Sequence, residues 1–343
     1  MLFTMIKIVL TVVAVAVCAA LLLFIYALIS GKFIPKKLRD IPKNTSPLFA
    51  DGKAQIGAHR AGAGIAPENT PLAFDICLNS ESFEVKELEF DLHLTKDDRL
   101  IILHDPTLDR TTDAREKYGR DNIFPSDLTY DELKALNPGE NFVTDSGETP
   151  YKGLRGDEIP EGLRIPLLDE IIDKIEAHGE YLYSIDIKDS GDRGRRAADA
   201  LIKLTREKGI SDRVIIATFN NDITRYLTKE YPDVQRSIGV FEGVLFYFAC
   251  AFNLKLNKDK LPFKAVQIPA NQYKIVRLGT ERFVRYCHNL GIAVQYWTID
   301  DPKEIKRLSD IGADCIITNV PDKMYALLYR SNSQCTAQAN LPS

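Results

Sequence analysis

The feature that most constrains the fold of this chain is a regular alternation of short apolar segments with longer amphipathic ones from Ala54 onwards. The short segments are rich in β-branched and aromatic residues and are bounded by polar or turn residues, which is typical of strands. The predicted strands cover residues 55–59, 85–94, 100–104, 181–187, 213–219, 234–241, 263–268, 292–299 and 313–320. The predicted helices cover residues 70–80, 167–179, 194–209, 279–291 and 301–312.

Alternating strands and helices over roughly 270 residues predict parallel strands that are joined by crossover helices. The length and the number of repeats favour an α/β fold of the (β/α)8 barrel type over an open doubly wound sheet. Neither the pattern GxGxxG nor the pattern GxxxxGK[ST] follows a predicted strand, which argues against nucleotide-binding versions of such a sheet. In barrels of this type the chemistry takes place at the carboxyl ends of the strands.

Residues 105–165 interrupt the alternation with a stretch rich in Asp, Gly, Thr and Pro. This stretch is too long for an ordinary loop between a strand and a helix, so we interpret it as an insertion after the second strand region. It is expected to lie over the mouth of the barrel. A substrate cap and a purely structural addition are both compatible with its composition.

The N-terminal segment differs from the rest of the chain in composition. Residues 8–29 contain no charged side chain over 22 residues, and a helix of that length extends for about 33 Å, enough to cross a bilayer core. We therefore predict a transmembrane anchor over residues 1–30 and a linker over 31–53, followed by the barrel domain over 54–330 and a tail over 331–343. A cleaved signal peptide is the alternative, but its apolar region is usually shorter.

The distribution of positive charge around the apolar segment predicts its orientation. One lysine precedes the segment, whereas several basic residues follow it, namely Lys32, Lys36, Lys37, Arg39 and Lys43. The positive-inside rule therefore places the barrel domain on the cytoplasmic side of the membrane.

Two features of the composition exclude other classes of function. The net charge of −4 and the pI near 5.8 provide no basic surface for nucleic acid. The 6 cysteines are scattered without CxxC spacing, so neither a zinc site nor a disulfide framework is predicted.

Several predicted strands end in ionisable residues. A single histidine at a strand end is more often a hydrogen-bonded surface residue than a catalyst, and a Glu-x-Asp pair usually lies on a solvated face. Four strand regions nevertheless carry such residues, which are His59, Arg60, Glu89, Asp91, His104, Asp186 and Lys188.

The alternation within residues 88–94 argues against a solvated face for the acidic pair. Glu89 and Asp91 share one face of the strand and the leucines and phenylalanine share the other, so the acidic face is directed into the barrel. Two carboxylates in a confined interior need a cation. Oxygen ligands without cysteine or a histidine cluster favour Mg²⁺ or Ca²⁺, with Asp186 on the neighbouring strand as a third ligand.

The order of short motifs resembles that of the glycerophosphodiester phosphodiesterase family. The motifs are HRAGAGIAPENT, ELEFDLHLTKDDRLIILHDPTLDRTT, IDIK, YWTID and DCIITNVPD, and the resemblance covers the chain from about Gln55 to Leu328. The family pattern runs HR…PENT, E-x-D, HD-x-x-L-x-R-T-T, E-x-K, W-T and T-D-x-P in the same order. The spacing from E-x-D to HD is more specific than any single motif.

The resemblance implies a metal-dependent phosphodiesterase on a TIM barrel. It implies that His59 and His104 act as general acid and base, without deciding which is which, and that Glu89, Asp91 and Asp186 bind a divalent cation. It further implies that Arg60 and Lys188 hold the phosphate, that Glu68 either orients Arg60 or caps a helix, and that Trp297 forms an apolar wall of the substrate site.

The chain departs from the family pattern at two positions that bear on the site. Asp186 stands where the family usually has Glu, and Asn319 stands where it often has Asp. Both departures are expected to alter the affinity for the metal.

The substrate class depends on a second apolar segment, residues 243–254, which has no charge and is too short to span a membrane. It is either an ordinary buried barrel helix or a helix that contacts lipid at the barrel mouth. A soluble glycerophosphodiester such as glycerophosphocholine, giving sn-glycerol 3-phosphate and an alcohol, is the default substrate of the family. A lysophospholipid, giving lysophosphatidic acid, is the alternative implied by the membrane-bound branch of the family.

Two other interpretations remain open from the sequence. One is an inactive, membrane-tethered barrel that binds a phosphodiester, although such a protein would not need two histidines. The other is a phosphodiesterase similar to sphingomyelinase D, which the PENT and HDPTLDRTT motifs do not favour.

Overall fold

A computed structural model describes residues 2–30, 46–272 and 276–330. Residues 31–45 of the predicted linker, which include the five basic residues used to predict the orientation, and the predicted tail over 331–343 lie outside the described residues. The structure consists of a long N-terminal helix and an α/β barrel.

The helices largely follow the predicted pattern. They are α1 (Leu2–Ser30), α2 (Pro71–Asn79), α3 (Ala114–Tyr118), α4 (Tyr130–Leu133), α5 (Leu168–Glu176), α6 (Gly191–Glu207), α7 (Asn221–Glu230), α8 (Val240–Ala251), α9 (Glu281–Asn289), α10 (Pro302–Asp310) and α11 (Pro321–Tyr325), which continues as a π-helix over Ala326–Arg330. Short 3₁₀ turns connect several of them, and the first of these turns, His59–Ala61, carries two predicted site residues.

The strands form the wall of the barrel. They are β1 (Gln55–Ala58), β2 (Glu87–Leu94), β3 (Leu100–Ile102), β4 (Leu182–Ile187), β5 (Val214–Ala217), β6 (Ala265–Ile268), β7 (Asn271–Gln272), β8 (Val276–Arg277), β9 (Ala293–Tyr296) and β10 (Cys315–Thr318). The parallel strands follow the order β5-β4-β2-β1-β10-β9-β6, β3 pairs with β2 in antiparallel fashion, and β7 and β8 form a small separate sheet. The predicted barrel of parallel strands is therefore confirmed.

The segment between β5 and β6 closes the ring of strands. Arg236 pairs with Ile216, and Ser237 pairs with Ala265, through isolated bridges. The predicted strand over 234–241 is wrong beyond this point, because α8 begins at Val240. The side chain of Glu242 accepts a hydrogen bond from the Gly239 amide at 2.9 Å, which stabilises the first turn of that helix.

The predicted insertion packs around a hydrophobic cluster that is distinct from the main core. Its buried members within the insertion are Leu108, Ala114, Ile123, Leu128, Leu133, Leu136 and Ile165. Ile101 and Leu103, which flank the end of β3, belong to the same cluster. The insertion is thereby attached to the strand that leads to His104, and its function as a cap stays a prediction.

Two helices expose apolar surface. The segment Val9–Tyr26 of α1 is long and apolar enough to cross a membrane and none of it is buried in the protein. Helix α8 buries Phe246, Ala249 and Cys250 but exposes Phe241 and Leu245. Helix α8 thus packs on the barrel with one side and exposes the other, so both interpretations of residues 243–254 stay open.

Candidate active site

A cavity of about 730 Å³ opens at the carboxyl ends of the barrel strands. Its polar end is lined by the predicted residues His59, Arg60, Glu89, Asp91, His104, Asp186 and Lys188. Trp297 also lines it, and α8 contributes apolar side chains at the other end. The fold thus brings together residues that are far apart in the sequence.

The turn after β1 presents His59 and Arg60 to the cavity. Arg60 and Ala61 adopt positive φ angles of 49° and 59°, and Gly62 follows with φ 90°. The Arg60 amide donates a hydrogen bond to Glu89 Oε2 at 2.8 Å. A Cβ atom at Gly64 would lie 2.7 Å from the carbonyl oxygen of Asn319, so a larger residue does not fit there. The two glycines therefore allow the tight turn and its close approach to β10.

The three predicted acidic ligands lie on adjacent strands. Glu89 and Asp91 lie on β2, and Asp91 is directly opposite Asp186 on β4. The Lys188 ammonium group lies between the two aspartates, 2.8 Å from Asp91 Oδ1 and 2.6 Å from Asp186 Oδ2. All three carboxylates are nearly inaccessible to solvent.

The pKa values of these groups reflect a crowded, buried set of charges. Burial and the neighbouring Asp91 carboxylate raise the pKa of Glu89 well above its usual value. Burial also raises the pKa of Asp186. Burial acts in the same direction on Asp91, but Lys188, His104 and Arg60 outweigh it and lower its pKa. A further positive charge at this place would relieve the repulsion among the carboxylates.

The donor set is compatible with a hard divalent cation. Oδ1 of Asp186 is buried and accepts no hydrogen bond from the described residues, so it retains an acceptor for another ligand. In the described part of the chain, no three His, Cys, Asp or Glu side chains are arranged to hold a metal ion as they stand. Lys188 supplies the positive charge between Asp91 and Asp186. Carboxylate oxygens of this kind are the ligands that Mg²⁺ and Ca²⁺ prefer.

His59 is held by a chain of two hydrogen bonds. Its Nδ1 atom lies 2.6 Å from Asn319 Oδ1, and Asn319 Nδ2 donates to Asp300 Oδ2 at 2.7 Å. The Asp300 carboxylate can only accept, so it fixes the amide orientation of Asn319, and the amide oxygen in turn requires a proton on His59 Nδ1. The neutral ring therefore has its lone pair on Nε2.

The electrostatic surroundings favour the neutral form of His59. Burial lowers its pKa, and the adjacent Arg60 guanidinium lowers it further. The hydrogen bond with Asn319 opposes this shift without reversing it. The Asn319 side chain contacts His59 and Asp300, and its expected effect on metal affinity stays a prediction.

His104 is held by a carboxylate. Its Nδ1 atom lies 2.6 Å from Asp105 Oδ1, and Arg110 donates to Asp105 through Nε at 2.6 Å. Arg110 also donates to Glu68. The Asp105 carboxylate thus fixes the orientation of the His104 ring, and Arg110 links the start of the insertion to the loop before α2.

Glu68 contacts Arg60 rather than capping α2. Arg60 donates to Glu68 Oε1 at 3.0 Å. Thr70 is the residue that caps α2, since its hydroxyl accepts from the Ala73 amide at 3.3 Å. The buried Asn69 side chain donates to Asp91 Oδ2 at 3.1 Å. The PENT motif thus contributes to the acidic site.

Arg60 retains a free donor toward the site. Its Nε atom is buried and donates no hydrogen bond to the described residues, and it lies 3.9 Å from Asp91 Oδ2. A guanidinium group held at one nitrogen by Glu68 and free at another is suited to bind a phosphate oxygen.

Trp297 lies beside Phe219 at the apolar side of the cavity. Their rings meet edge to face with centroids 5.7 Å apart. Phe219 is 58% exposed, and its ring lies 5.8 Å from the Lys188 ammonium. The pair forms part of the rim between the charged and apolar ends of the cavity.

Four contributing residues were missed from the sequence, which are Asn69, Asp105, Arg110 and Asp300. Three of them, Asn69, Asp105 and Arg110, lie inside motifs that carry the family resemblance. The motifs mark these positions but do not indicate which side chains they contact. Asp300 lies in YWTID, where only the tryptophan drew attention.

The family model described as the glycerophosphoryl diester phosphodiesterase family matches residues 59–323. A glycerophosphodiester phosphodiesterase from Caldanaerobacter subterraneus subsp. tengcongensis is 28% identical over 276 residues, which cover 80% of this chain and 98% of the relative. The lysophospholipase D GDPD1 of Rattus norvegicus is 26% identical over 291 residues, which cover 79% of this chain and 85% of the relative.

Solved structures share the fold. A glycerophosphoryl diester phosphodiesterase from Silicibacter pomeroyi superposes with a TM-score of 0.63 at 20% identity, over 83% of this chain and 96% of that chain. A phosphodiesterase from Oleispira antarctica in complex with the product sn-glycerol-3-phosphate superposes with a TM-score of 0.58 at 20% identity, over 80% of this chain and 97% of that chain.

Proposed function

The chain belongs to the glycerophosphoryl diester phosphodiesterase family and is a phosphodiesterase, and we propose that it cleaves glycerophosphodiesters by proton transfer through His59 and His104. The substrate would be a soluble diester such as glycerophosphocholine, and the products would be sn-glycerol 3-phosphate and an alcohol. The observation that carries this proposal is the meeting of both histidines, three carboxylates and two cationic side chains in one cavity.

We assign His59 as the base for the attacking hydroxyl. The Asn319–Asp300 pair supports this assignment because it requires the proton on Nδ1 and leaves the lone pair on Nε2, where the Thr298 hydroxyl lies 3.4 Å away. The lowered pKa of His59 keeps the ring neutral near pH 7, which is the form that accepts a proton.

We assign His104 as the acid for the leaving alcohol. Asp105 accepts from its Nδ1–H and holds the ring in place, and a proton on Nε2 would be the one transferred to the leaving oxygen. The attacking oxygen would be the substrate's own vicinal hydroxyl. In the first step His59 takes the hydroxyl proton, the oxygen bonds to phosphorus, and the bond to the leaving oxygen breaks as His104 protonates it, which gives a cyclic glycerophosphate and the free alcohol. In the second step a water molecule, deprotonated by His104, attacks the phosphorus, and the ring P–O bond formed in the first step breaks as His59 returns its proton to that oxygen, which gives sn-glycerol 3-phosphate.

The anionic diester needs positive charge around it. Arg60 would donate from Nε to a phosphate oxygen, and Lys188 would add a point charge. Members of this family generally depend on a divalent cation. In this chain Glu89, Asp91 and Asp186 would hold it, and Mg²⁺ or Ca²⁺ would neutralise charge on the phosphate.

Lysophospholipid cleavage is a second candidate, and one specific observation favours it. The cavity continues from the histidines to an apolar wall that includes Val244, Phe246 and Phe248 of α8 and Phe24 of α1. An acyl chain has the chemistry to occupy such a wall. Lysophosphatidic acid and the head-group alcohol would be the products.

The experiment is a comparison of the full-length protein in detergent with its His59→Ala and His104→Ala variants. Choline release from glycerophosphocholine and from lysophosphatidylcholine is measured with Mg²⁺, Ca²⁺ or EDTA. Each substitution should lower kcat by about 100-fold or more, the usual size of a proton-transfer contribution. Turnover near that of the unsubstituted protein in either variant would refute the two-histidine mechanism. Bound cation with no turnover of either diester would favour the inactive binding barrel.

A further inference from the structure

Helix α8 presents an apolar face at the mouth of the barrel. Val240, Phe241, Val244 and Leu245 repeat at helical spacing and are between 49% and 64% exposed. Phe219, on the loop after β5, is also exposed and lines the same cavity. A contiguous exposed apolar surface of this kind indicates a contact with lipid or with another protein.

The polar residue within α8 does not interrupt this face. Both carboxylate oxygens of Glu242 accept hydrogen bonds from the buried guanidinium of Arg236, at 2.8 Å and 2.7 Å. Its charge is thereby neutralised next to the barrel wall. The exposed side of α8 is left without a charged group between Val240 and Leu245 that would oppose transfer into an apolar medium.

The carboxyl end of α1 meets the carboxyl end of α8. Tyr26, at the end of the apolar segment of α1, stacks on Phe252 with ring centroids 5.3 Å apart, and Phe252 stacks on Phe248 at 6.4 Å. Tyrosine is typical of the boundary between a bilayer and water. If α1 crosses the bilayer, this contact places α8 at the level of the lipid head groups.

Basic side chains follow α8 directly. Lys255, Lys258 and Lys260 are exposed and are accompanied by a single acid, Asp259. Lysines close to a membrane surface are attracted to anionic lipids. The apolar face of α8 and these lysines together have the composition of a segment that lies in a membrane interface.

We propose that the apolar face of α8, defined by Val240, Phe241, Val244 and Leu245, docks into the lipid bilayer that α1 enters and turns the mouth of the barrel toward the membrane. This inference rests on the prediction that α1 is a membrane anchor. It does not depend on which substrate the protein cleaves. It gives the cavity direct access to lipid, since Val240 and Val244 line that cavity from within the same face.

Quenching of tryptophan fluorescence by brominated lipid tests whether the apolar face of α8 lies in the bilayer. The chain contains one tryptophan, Trp297, so a second one can be introduced by Leu245→Trp. Leu245 does not line the cavity, and the substitution keeps the site intact. The full-length variant is reconstituted into vesicles of phosphatidylcholine and phosphatidylglycerol whose acyl chains are brominated close to the head group.

The matched control is Lys203→Trp, at a 76% exposed position near the carboxyl end of α6. The expected result is that brominated lipid quenches the fluorescence added by Leu245→Trp at least ~2-fold more than that added by Lys203→Trp, as for a side chain in the interface. Equal quenching of the two would overturn the proposal. An emission shifted to shorter wavelength without quenching would overturn it as well, because a second protein surface would then cover the face.

Glycerophosphocholine turnover is measured in the same vesicles. Loss of quenching with normal turnover overturns only the docking of α8. Strong quenching without turnover supports docking and counts against the proposed activity, so the two failures are distinguishable.

Discussion

His59 owes its tautomer to two side chains that need not touch the substrate. Asn319 accepts its Nδ1 proton and Asp300 fixes the orientation of Asn319. The family often has an acid at the position of Asn319, and a carboxylate there would pull more strongly on the imidazole proton than an amide does. An amide holds the same tautomer without adding a charge beside Asp300.

The substitution Asn319→Ala is expected to lower kcat for glycerophosphocholine by about 10- to 100-fold while KM changes little, because an unheld histidine samples the wrong tautomer and orientation. Steady-state kinetics of the purified protein provide the measurement. The Asn319→Asp variant serves as the control and should retain more activity, since it still accepts from Nδ1. A kcat equal to that of the unsubstituted protein in Asn319→Ala would contradict the positioning role.

Asp186 is the acidic residue whose side chain is one methylene shorter than the family usually has. Asp186→Asn should raise the concentration of Mg²⁺ or Ca²⁺ that gives half-maximal activity by about 10-fold or more, since a charged ligand is lost. Asp186→Glu should keep or lower that concentration. Asp192→Asn, at an 84% exposed position on α6, is the control. An unchanged metal titration in Asp186→Asn would remove this residue from the proposed ligand set.

At the scale of the elements, four strands meet in a polar layer inside the barrel. Gln295 of β9 donates to Glu87 of β2 at 2.6 Å, and Gln267 of β6 donates both to Gln295 at 2.7 Å and to Ser184 of β4 at 2.6 Å. Burial raises the pKa of Glu87 to about 7. Buried polar groups of this kind stabilise the fold only while each keeps its partner. The layer therefore couples opposite sides of the barrel beneath the acidic site.

Replacing Gln295 by leucine should lower the free energy of unfolding by about 2–4 kcal/mol, because Glu87 is then buried without a donor. Denaturant titration followed by circular dichroism measures the change. Adding Glu87→Gln to Gln295→Leu should recover part of the loss, since a neutral amide is less costly to bury than a carboxylate. A Gln295→Leu variant as stable as the unsubstituted protein would show that burying Glu87 without this donor does not destabilise the fold.

Local periodicity was sufficient to predict most of the elements. Strand β2 alternates acidic and apolar residues, and helices such as α9 and α10 have a clear apolar face. Each of these patterns fits only one type of secondary structure. The segment over 234–241, VQRSIGVF, was different because its apolar residues follow no single period, so the end of the strand and the start of the helix could not be separated. The first turn of α8 begins within this segment. The Glu242 side chain stabilises that turn by accepting from the Gly239 amide, and it also pairs with Arg236.

The site could be predicted only where its residues lie in local motifs. The strand regions that carry four of the site residues are recognisable from the sequence pattern. These residues are His59, Glu89, Asp91 and His104. The partner of His59 is 260 residues away, and no spacing rule connects Asn319 to it. Long-range side-chain hydrogen bonds of this kind follow from the closed ring of strands and are visible only once β10 is placed beside β1.

At the scale of the whole molecule, the apolar N-terminal helix and the barrel mouth meet on one side. Phe24 of α1 lines the same cavity as His59 and His104, so the helix that would anchor the protein also contributes to the wall of the site. A cleaved signal peptide has no reason to pack against the site of the mature protein. This contact favours retention of α1 over its removal.

The protein isolated from cells should therefore keep its first 30 residues and stay with the membrane pellet after extraction at high salt and at alkaline pH, because about 20 consecutive apolar residues hold a helix in the bilayer. Intact-mass measurement of the detergent-extracted chain, together with immunoblotting of the fractions, tests both parts. A variant with charged residues in place of Val13 and Val17 is the control, and it should be found in the soluble fraction. Recovery of a soluble chain that begins after residue 30 would instead identify the segment as a signal peptide, and the cytoplasmic placement predicted from the charge distribution would then be wrong as well.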